Sequence, residues 1–356
     1  MKTINIVLFG IGNVGSTLIH QIEKAKQSFN SKGIDLNIPV ITNSRFAFFN
    51  DIGDTQNWKA NFEQSSKPYD LDEVIEYGHK QKFTNLIAVD VTSSADFAQS
   101  YIALIQNGFH IVSANKTANT LGYDFYKRLR KALKENQKQF LYETNVGAGL
   151  PIIDIVQNLY VSGDTVHKIT GVFSGSLSYI FNRFSETKSS FSAVLNEAKE
   201  LGFTEPDARD DLSGKDVARK LLILARELGI TKEISDVKIE SLVPKQLNGK
   251  TSLNEFNNNL NILDNIFDER KNQQEEGFVL RYVGELDVSN KNMEVKLIST
   301  HKESSLGQLN HTDNVFEIYS ESYIEQPLVL KGAGAGRVVT ARGVLNDIFK
   351  VAKHLN

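Results

Sequence analysis

Acidic and basic side chains crowd together in one short stretch, TEPDARDDLSGKDVARK (residues 204–220), which runs directly into an apolar helical pattern. Within it, Asp216 and Lys220 are four residues apart. On a helix they lie at the edge of an apolar stripe that includes Val217 and Leu221. A lysine beside a carboxylate at the boundary of a core is a candidate proton carrier, so we predict this role for Lys220.

The same stretch also has a structural explanation. Ser213-x-x-Asp216 matches a capping box, and Asp216 with Lys220 is an i,i+4 ion pair worth about 0.2–0.5 kcal/mol. Arg226 lies opposite the apolar stripe and is predicted to face solvent. This explanation does not account for the crowded carboxylates before the helix, which the ammonium group of a bound ligand would relieve: Glu205, Asp207, Asp210 and Asp211.

A glycine pattern lies at the start of the chain, where an apolar strand pattern ends in FGIGNVG. The Gly-x-Gly-x-x-Gly spacing permits a tight turn and the close approach of a pyrophosphate. The motif is informative only where it joins a strand to a helix, and here it does so. We predict that this loop binds a dinucleotide through Gly10, Gly12, Asn13, Val14 and Gly15.

The second predicted strand ends in VITNSRF (residues 40–46), where no acidic residue is available for the ribose 2′-hydroxyl of NAD. Arg45 could instead bind the 2′-phosphate of NADP, so we favour NADP, with NAD as the alternative. Arg45 is equally consistent with a solvated cation in a loop.

Two further loops follow predicted parallel strands, DVTSS (residues 90–94) and VSANK (residues 112–116). Ligands bind at the carboxyl edge of doubly wound sheets, so Thr92, Ser93 and Lys116 are candidate cofactor contacts. Thr92 and Ser93 could equally cap the helix that follows.

A second cluster of glycines, KGAGAGRVVTARG (residues 331–343), lies near the end of the chain. Gly332, Gly334 and Gly336 permit close approach of the backbone to a ligand or to another segment. We expect the cluster either to complete the cofactor site or to form a tight turn before a closing helix at Val344–Leu355.

Predicted strands and helices alternate over the first 145 residues, which is typical of a parallel sheet with crossover helices. The later pattern is of helices and antiparallel strands, with a helix near Leu253–Phe267 and a loop at Asp268–Glu276. Exposed edges and surplus apolar strands there favour a homodimer. We predict an α/β fold with a Rossmann-type doubly wound parallel sheet (1–145), a second α+β domain for substrate binding and dimerisation (146–330), and a C-terminal segment that returns to the nucleotide domain (331–356).

The bulk composition limits the classes of function. The chain has 356 residues, a formal net charge of −3 and no cysteine. This length is enough for two domains, and the charge argues against a nucleic-acid partner. The lack of cysteine excludes disulfides, thiolate catalysis and cysteine-ligated zinc. It also fits the cytoplasm, which we expect as the location, without excluding secretion. No apolar run approaches the roughly 20 residues of a membrane span, so we expect no membrane partner.

Together these motifs resemble those of homoserine dehydrogenases. The segment GFTEPDARDDLSGKDVARK is similar to a family signature almost throughout, and VDVTSS, VSANK, ETNVGAGLPII, GVFSGSLSYI and KGAGAG follow in the family's order and spacing. The resemblance covers essentially the whole chain. It implies an NAD(P)-dependent oxidoreductase that interconverts L-aspartate 4-semialdehyde and L-homoserine in threonine and methionine biosynthesis. We expect a monofunctional form, without a fused aspartate kinase and without the C-terminal regulatory domain of some members.

The resemblance also implies roles for individual residues. Glu205 and Asp216 would hold the amino-acid substrate. Glu205 would bind the ammonium group of that substrate. Lys220 and Lys116 would lie at the reacting oxygen. The family assigns proton donation to the lysine that matches Lys220, and Lys116 remains the alternative.

Two other motifs have implied roles. Gly175 and Ser176, in GVFSGSLSYI, would line the substrate pocket, although this motif has serines where many relatives have Asn or Thr. ETNVGAGLP resembles the family's monovalent-cation loop. A sodium ion would be bound there by the Glu143 side chain and by the backbone carbonyl oxygens of Val146, Ala148 and Leu150.

Three alternatives compete with this assignment. YDFYK (residues 123–127) has the Tyr-x-x-x-Lys spacing of short-chain dehydrogenases, but Ser113 is poorly placed to complete such a site. Zinc-dependent alcohol oxidation needs ligand clusters that the seven histidines do not form. A non-catalytic NADP sensor would keep the glycine loop but would not need Lys220.

Overall fold

The computed structural model describes residues 1–50, 55–248 and 251–355. The chain divides into two compact units: the first comprises Met1–Gly149 and Gly336–Asn356, and the second comprises Leu150–Ala335. The sequence places these divisions slightly earlier, after residues 145 and 330.

Seven strands form the sheet of the first unit: β1 (Lys2–Phe9), β2 (Ile34–Thr42), β3 (Phe46–Phe49), β4 (Lys67–Pro68), β5 (Leu86–Asp90), β6 (His110–Ser113) and β7 (Phe140–Leu141). Their order is β4-β3-β2-β1-β5-β6-β7. Strands β2, β1, β5, β6 and β7 are parallel, whereas β3 and β4 add antiparallel pairs at one edge. The predicted Rossmann-type parallel sheet is therefore confirmed.

The helices of the first unit are α1 (Asn13–Asn30), α2 (Trp58–Ser65), α3 (Leu71–Lys80), α4 (Ala95–Gln99), α5 (Tyr101–Gln106), α6 (Thr117–Thr120), α7 (Tyr123–Glu135) and a C-terminal helix (Arg337–His354). A short 3-10 helix spans Glu143–Asn145. One apolar cluster includes Ile6 of β1, Leu18 of α1, and Val344 and Ile348 of the C-terminal helix. Each such side chain contributes about 1.5–3 kcal/mol by its burial, so the C-terminal helix is part of the first unit's core.

Six strands form the sheet of the second unit: β8 (Val166–Val172), β9 (Lys238–Ile239), β10 (Phe278–Asp287), β11 (Asn292–His301), β12 (Asp313–Ser320) and β13 (Leu328–Ala333). Their order is β13-β12-β8-β10-β11-β9. The neighbouring strands are antiparallel except for β9, which runs parallel to β11. A second domain that combines helices with a largely antiparallel sheet agrees with the prediction.

The helices of the second unit are α8 (Ile152–Ser162), α9 (Gly175–Glu186), α10 (Phe191–Glu200), α11 (Ala208–Leu212), α12 (Lys215–Glu227), α13 (Leu253–Asn258) and α14 (Asn261–Asn272); the C-terminal helix of the first unit is α15. Short 3-10 helices lie at Ile234–Asp236 and Lys245–Leu247. Within the described ranges, no helix combines the length and the apolar character needed to cross a bilayer.

Two local predictions about the second unit were wrong. The expected helix at Leu253–Phe267 is two helices, α13 and α14. The expected loop at Asp268–Glu276 is partly helical, because α14 continues to Asn272. Lys271 stabilises this last turn by donating hydrogen bonds to the carbonyl oxygens of Phe184 and Thr187 at 2.6 Å and 2.5 Å.

Strand register brings the ends of three parallel strands side by side. Phe9 at the end of β1 pairs with Asp90 at the end of β5, and Asp90 pairs with Ser113 at the end of β6. The loops after these strands therefore leave the sheet at the same carboxyl edge, where doubly wound folds bind their ligands.

Candidate functional site

The glycine loop after β1 is closed tightly on itself. Gly10 has φ +103°, a conformation that L side chains rarely adopt. A Cβ atom on Gly15 would lie 2.0 Å from the Gly10 carbonyl oxygen, whereas one on Gly12 would have no neighbour within 4 Å among the described residues. Asn13 is exposed and Val14 half-buried in the first turn of α1. Open space over a helix N-terminus fits a phosphate group.

A buried carboxylate ties the next two loops together. Asp90 accepts hydrogen bonds from the Thr92 backbone N–H (2.8 Å), the Tyr101 hydroxyl (2.6 Å) and the Asn115 side-chain amide (3.0 Å). Burial raises the pKa of Asp90, and these hydrogen bonds partly offset the rise. The loops after β5 and β6 are therefore fixed relative to each other, with Lys116 directly after Asn115.

The alternative that Thr92 and Ser93 cap the following helix was wrong. Ser94 is the cap of α4, and its hydroxyl accepts a hydrogen bond from the Phe97 N–H at 3.1 Å. Thr92 is half-buried and Ser93 exposed at the edge of the sheet. Lys116, which is also half-buried, lies at the start of α6.

Arg45 lies in the turn between β2 and β3 and is exposed. The Asn43 side chain organises this turn, because its Oδ1 accepts hydrogen bonds from the N–H groups of Arg45 (2.8 Å) and Phe46 (2.7 Å). This geometry presents the guanidinium to solvent at the end of β2. It is compatible with both interpretations of Arg45.

Lys220 is buried in α12, with 8% of its surface exposed. Its ammonium group donates a hydrogen bond to the Phe173 carbonyl oxygen at 2.7 Å and lies 2.9 Å from an Asp216 carboxylate oxygen. The Asp216 side chain is 43% exposed. The predicted pair at the edge of a core therefore exists, and it has a third member that the sequence did not indicate, the Phe173 carbonyl group.

Two predictions about α12 were wrong. The helix begins after Gly214, which has φ +72°, and the Ser213 hydroxyl accepts from the Lys215 N–H, so Ser213 and Asp216 do not form a capping box. Arg226 is buried rather than solvated. Its guanidinium donates a hydrogen bond to the Lys232 carbonyl oxygen. It also pairs with Glu233 at 3.2 Å.

Two of the four crowded carboxylates before α12, those of Asp207 and Asp211, have partners within the second unit. Arg209 forms an ion pair with Asp207 at 2.6 Å. Asp211 accepts hydrogen bonds from the Ser176 hydroxyl at 2.6 Å and from the Glu205 N–H at 2.8 Å. Burial raises the pKa of Asp211, and these hydrogen bonds partly offset the rise. These contacts explain Asp207 and Asp211 without a ligand, whereas the exposed Glu205 side chain is accessible to a ligand ammonium.

Gly175 and Ser176 form the first turn of α9, which Ser174 caps. A Cβ atom on Gly175 would lie 3.1 Å from the Thr312 carbonyl oxygen. The Ser176 hydroxyl bridges Ser174 (2.8 Å) and Asp211. Because Asp211 also binds the Glu205 backbone, it connects the motif at α9 to the charged segment before α12.

The glycines near the end of the chain have separate roles. Gly332 lies in β13 opposite Asn314, and a Cβ atom on Gly334 would lie 1.9 Å from Asn314 Cγ. Gly336, in the first unit, has φ +123° and precedes α15. The expected closing helix was placed too late, because α15 starts at Arg337 and contains Gly343.

Buried charges surround Glu143 in the first unit. Its N–H donates to Asp347 at 2.9 Å, and both side chains are buried. Lys350 lies 3.7 Å from Glu143 and 3.3 Å from Asp347. Val146 is buried, and Ala148 has a positive φ of 55°. Leu150 belongs to the second unit, where its carbonyl oxygen accepts the Ile152 N–H at 2.9 Å.

Two observations concern the residues of the competing enzyme classes. Among the described residues there is no group of three or more metal-ligating side chains that could hold a metal ion. The Lys127 side chain is 58% exposed and pairs with Asp124 at 3.0 Å, as on an ordinary surface helix. The Tyr-x-x-x-Lys spacing at Tyr123 is therefore explained without catalysis.

Comparison with known proteins identifies two family models that together span most of the chain. A model described as homoserine dehydrogenase matches residues 151–349, and a model of the homoserine dehydrogenase NAD-binding domain matches residues 10–143. A bifunctional aspartokinase/homoserine dehydrogenase of Buchnera aphidicola is 42% identical over 351 residues, which are 98% of this chain and 43% of that protein. The chain spans about two fifths of the length of such curated relatives.

Solved structures show the same fold. A Candida auris protein of unknown function has a TM-score of 0.91 and 35% sequence identity, with 99% of each chain covered. A hyperthermophilic archaeal homoserine dehydrogenase in complex with NADPH has a TM-score of 0.76 and 24% identity, and covers 100% of this chain and 99% of its own.

Proposed function

The chain belongs to the homoserine dehydrogenase family, and from this premise we propose that it reduces L-aspartate 4-semialdehyde reversibly to L-homoserine with NAD(P)H. The observation that carries the proposal is the environment of Lys220. A buried ammonium group is held by a carboxylate and a backbone carbonyl within the segment that matches the family model. Such a group can stabilise negative charge and then release a proton.

The first unit holds the cofactor in this proposal. The glycine loop and the first turn of α1 receive the pyrophosphate, and the loops fixed by Asp90 carry Thr92, Ser93 and Lys116 at the same edge. The bound nicotinamide supplies or accepts the hydride. Arg45 is exposed after β2 and would bind the 2′-phosphate of NADP, which supports a preference for that cofactor.

The second unit binds the amino acid and moves the proton. Negative charge develops on the aldehyde oxygen as its carbon is reduced, and the Lys220 ammonium stabilises that charge and donates a proton to it. The lysine is then a neutral amine beside Asp216, and in the oxidation direction it takes the proton back. Glu205 and Asp216 hold the amino acid, Glu205 through the ammonium group of the substrate, and Gly175 and Ser176 line the substrate pocket.

A monovalent cation fits the environment of Glu143. Glu143 and Asp347 are buried carboxylates, and Lys350 lies within 4 Å of both. Carboxylate and carbonyl groups are hard oxygen donors, which suit sodium. Glu143 and the carbonyl oxygens of Val146, Ala148 and Leu150 would hold the ion.

A homodimer is the proposed assembly. Strand β13 lies at the end of its sheet, and Val329 on this strand is 42% exposed. Ile324, in the turn before β13, is 62% exposed. Exposed apolar side chains on an edge strand are suited to association with a second copy.

The activity can be tested by the absorbance of NADPH during incubation with aspartate semialdehyde. We expect wild-type protein to consume NADPH, and a parallel assay with NADH measures the cofactor preference. An unchanged absorbance with an active control enzyme present would contradict the proposal.

The role of Lys220 can be separated from cofactor binding. We expect Lys220→Ala to lower kcat at least about 100-fold, because general acid catalysis typically contributes 10²–10⁴-fold. Lys220→Arg should be equally impaired, because arginine keeps the charge but does not release a proton. Lys215→Ala, on the same helix but exposed, is the matched control and should keep its activity.

Comparing these variants with Lys116→Ala identifies the proton donor. If Lys220 is the donor, Lys116→Ala loses less turnover than Lys220→Ala. NADPH affinity, measured by fluorescence titration, should be unchanged in Lys220→Ala. Unchanged turnover in Lys220→Ala would exclude Lys220 as the proton donor, whereas a protein that only senses NADP would bind NADPH without turnover in both the wild type and the variant.

A further inference from the structure

Asn314, at the start of β12, is completely buried beside Lys220's acceptor group. Its side-chain amide donates a hydrogen bond to the Phe173 carbonyl oxygen at 3.0 Å. Phe173 directly follows β8, and the pairing of Val172 with Val315 places the start of β12 next to it. Strand register therefore fixes this contact between residues far apart in the sequence.

Lys220 and Asn314 share one acceptor. The Phe173 carbonyl oxygen accepts the Lys220 ammonium at 2.7 Å and the Asn314 amide at 3.0 Å. A carbonyl oxygen has two lone pairs, and these two donors account for both. The position of the ammonium group thus depends on an oxygen whose other bond is made by Asn314.

The surrounding structure holds the Asn314 amide in place. A Cβ atom on Gly334 would lie 1.9 Å from Asn314 Cγ and 2.2 Å from Nδ2, so glycine is needed for the amide to lie there. The ring of Phe173 packs edge-on against Phe316 with centroids 4.9 Å apart. Both sides of the hydrogen bond are therefore packed rigidly.

Folding stability alone does not explain an asparagine at this position. Its Oδ1 is buried and has no hydrogen-bond partner among the described residues. A buried acceptor without a partner carries a desolvation cost that an apolar side chain of similar size would avoid. The side chain is better explained by its contribution to the Lys220 environment.

We propose that Asn314 is a positioning residue for proton transfer: through the Phe173 carbonyl group it fixes the Lys220 ammonium in its reactive orientation. The inference rests on the proposed function, in which Lys220 transfers the proton. In this role Asn314 acts through the Phe173 carbonyl group and not on the reacting atoms themselves. Its effect should appear in turnover and in the pH dependence of turnover, and not in NADPH affinity.

The first test replaces Asn314 by leucine, which has the same branched side-chain skeleton but no donor. We expect kcat to fall about 10-fold or more, because misplacing a general acid removes part of its 10²–10⁴-fold contribution. The KM for NADPH should stay unchanged. The matched control is Asn182→Leu. Asn182 is also buried, and its amide also donates to a backbone carbonyl group, that of His311, at 3.1 Å. Its Oδ1 is likewise buried and has no partner among the described residues.

The two leucine variants separate positioning from a purely structural role. If both lower the melting temperature but only Asn314→Leu lowers kcat and shifts the pH profile, the proposal is supported. If folded Asn314→Leu protein keeps the wild-type kcat and pH profile, Asn314 has no positioning role and the proposal is overturned.

A second variant serves if the leucine protein does not fold. In Asn314→Asp, a protonated carboxyl group can still donate to the Phe173 carbonyl oxygen, whereas an ionised one cannot. We expect its kcat relative to wild type to be highest at low pH and to fall as pH rises through the pKa of the new carboxyl group. A constant ratio across the pH range would overturn the proposal.

One measurement does not depend on catalysis. Competitive acetylation followed by mass spectrometry reports the reactivity of Lys220 at each pH. It should change in Asn314→Leu and stay the same in Asn182→Leu. If wild-type protein has no activity with aspartate semialdehyde, the proposed function fails. A change of Lys220 reactivity confined to Asn314→Leu would still support the coupling between Asn314 and Lys220. Unchanged Lys220 reactivity in Asn314→Leu would overturn that coupling.

Discussion

At the scale of single residues, His110 in β6 shows how burial sets a protonation state. Its Nδ1 is 3.1 Å from the Gln139 backbone N–H, which donates to it. Only a ring nitrogen with a lone pair can accept this bond, so the imidazole is neutral. Burial, with a smaller effect of Lys138, lowers the pKa of His110 to about 4 from its usual 6.5.

This depressed pKa predicts a loss of stability in mild acid. The contribution of His110 to stability is fully present above the pKa that this group has in the unfolded chain. It is lost as the pH falls toward the pKa that the group has in the folded protein. The free energy of unfolding should therefore drop by about 2 kcal/mol between pH 7 and about pH 5 from this group alone. Urea denaturation at both pH values would measure it.

A pair of variants isolates His110 from other titrating groups. His110→Gln should show a smaller loss of unfolding free energy over this pH interval than wild type. His20→Gln, at an exposed position of α1, should show the wild-type loss. Equal pH dependence in all three proteins would contradict the assignment.

The sequence predicted residues of the candidate site where the chemistry is local. Asp216 and Lys220 are one helical turn apart, so the side-chain pair followed from spacing alone. The Phe173 carbonyl group and Asn314 could not be predicted, because strand register brings them to Lys220 from distant segments. Asp211 was seen as one of several carboxylates, but its hydrogen bond to Ser176 depends on the tertiary fold.

At the scale of elements, the glycine loop makes two different demands on its glycines. A Cβ atom on Gly15 would collide with the Gly10 carbonyl oxygen at 2.0 Å, whereas Gly12 faces open space. We expect Gly15→Ala to lower the melting temperature. Gly12→Ala should leave the melting temperature close to that of wild type and weaken NADPH binding, because the methyl group would occupy the space intended for the pyrophosphate.

Differential scanning fluorimetry and NADPH titration distinguish these outcomes. Gly33→Ala is not a suitable control, because Gly33 has φ +76° and any side chain there is strained. Ser31→Ala, at the exposed end of α1, is preferable. Tight NADPH binding by Gly12→Ala would show that the cofactor does not approach this loop.

Helix α15 supplies the charges that test the cation proposal. Lys350→Gln leaves Glu143 and Asp347 buried without their lysine, which should cost up to about 3 kcal/mol of unfolding free energy. Sodium should restore part of this loss if it binds there. We therefore expect the melting temperature of Lys350→Gln to rise more from choline chloride to sodium chloride than that of wild type.

Lys353→Gln is the control for this experiment, because Lys353 is exposed on the same helix. Its melting temperature should respond to sodium as the wild-type value does. If the melting temperature of Lys350→Gln is the same in sodium chloride and in choline chloride, this result would contradict a cation at Glu143.

Element boundaries were predicted less well than element types. Gly343 suggested that the last helix starts after it, but the helix includes this residue. Glycine is needed there for packing and not for a turn, because a Cβ atom would lie 2.4 Å from Thr144 Cγ2. Ser213 suggested a capping box, but the left-handed Gly214 sets the start of α12 instead. In both cases a tertiary contact or a backbone conformation overrode a local pattern.

At the scale of the whole molecule, the apolar edge of the second unit predicts its association. We expect light scattering to give a mass near twice the 39.8 kDa of one chain. Val329→Lys should shift the protein toward monomers, because a charge on an edge strand opposes pairing with another copy. Ile266→Lys, at an exposed position of α14, should not.

A monomeric wild-type mass would contradict the dimer. Equal dissociation by both lysine variants would mean that β13 is not the contact surface. Equilibrium sedimentation at several protein concentrations would separate weak association from none.

The two-unit architecture could be predicted because hydrophobic periodicity differs between the halves. Buried parallel strands such as Ile4–Phe9 are continuous apolar runs, whereas strands with one solvated face such as Met293–Ser299 alternate. Helix α9 was missed, because GVFSGSLSYI contains little helical signal and its helix depends on a Ser174 cap and on burial.

The first unit is assembled from two segments that are far apart in the sequence, since α15 packs with α1, and the Lys2 ammonium donates to the carbonyl oxygens of Ala352 and Leu355. During translation β1 is made before α15, at about 5–20 residues per second. We therefore expect the nascent chain to expose the apolar side chains that β1 and α1 turn toward α15 until that helix has been made, which is the period in which chaperones would bind them.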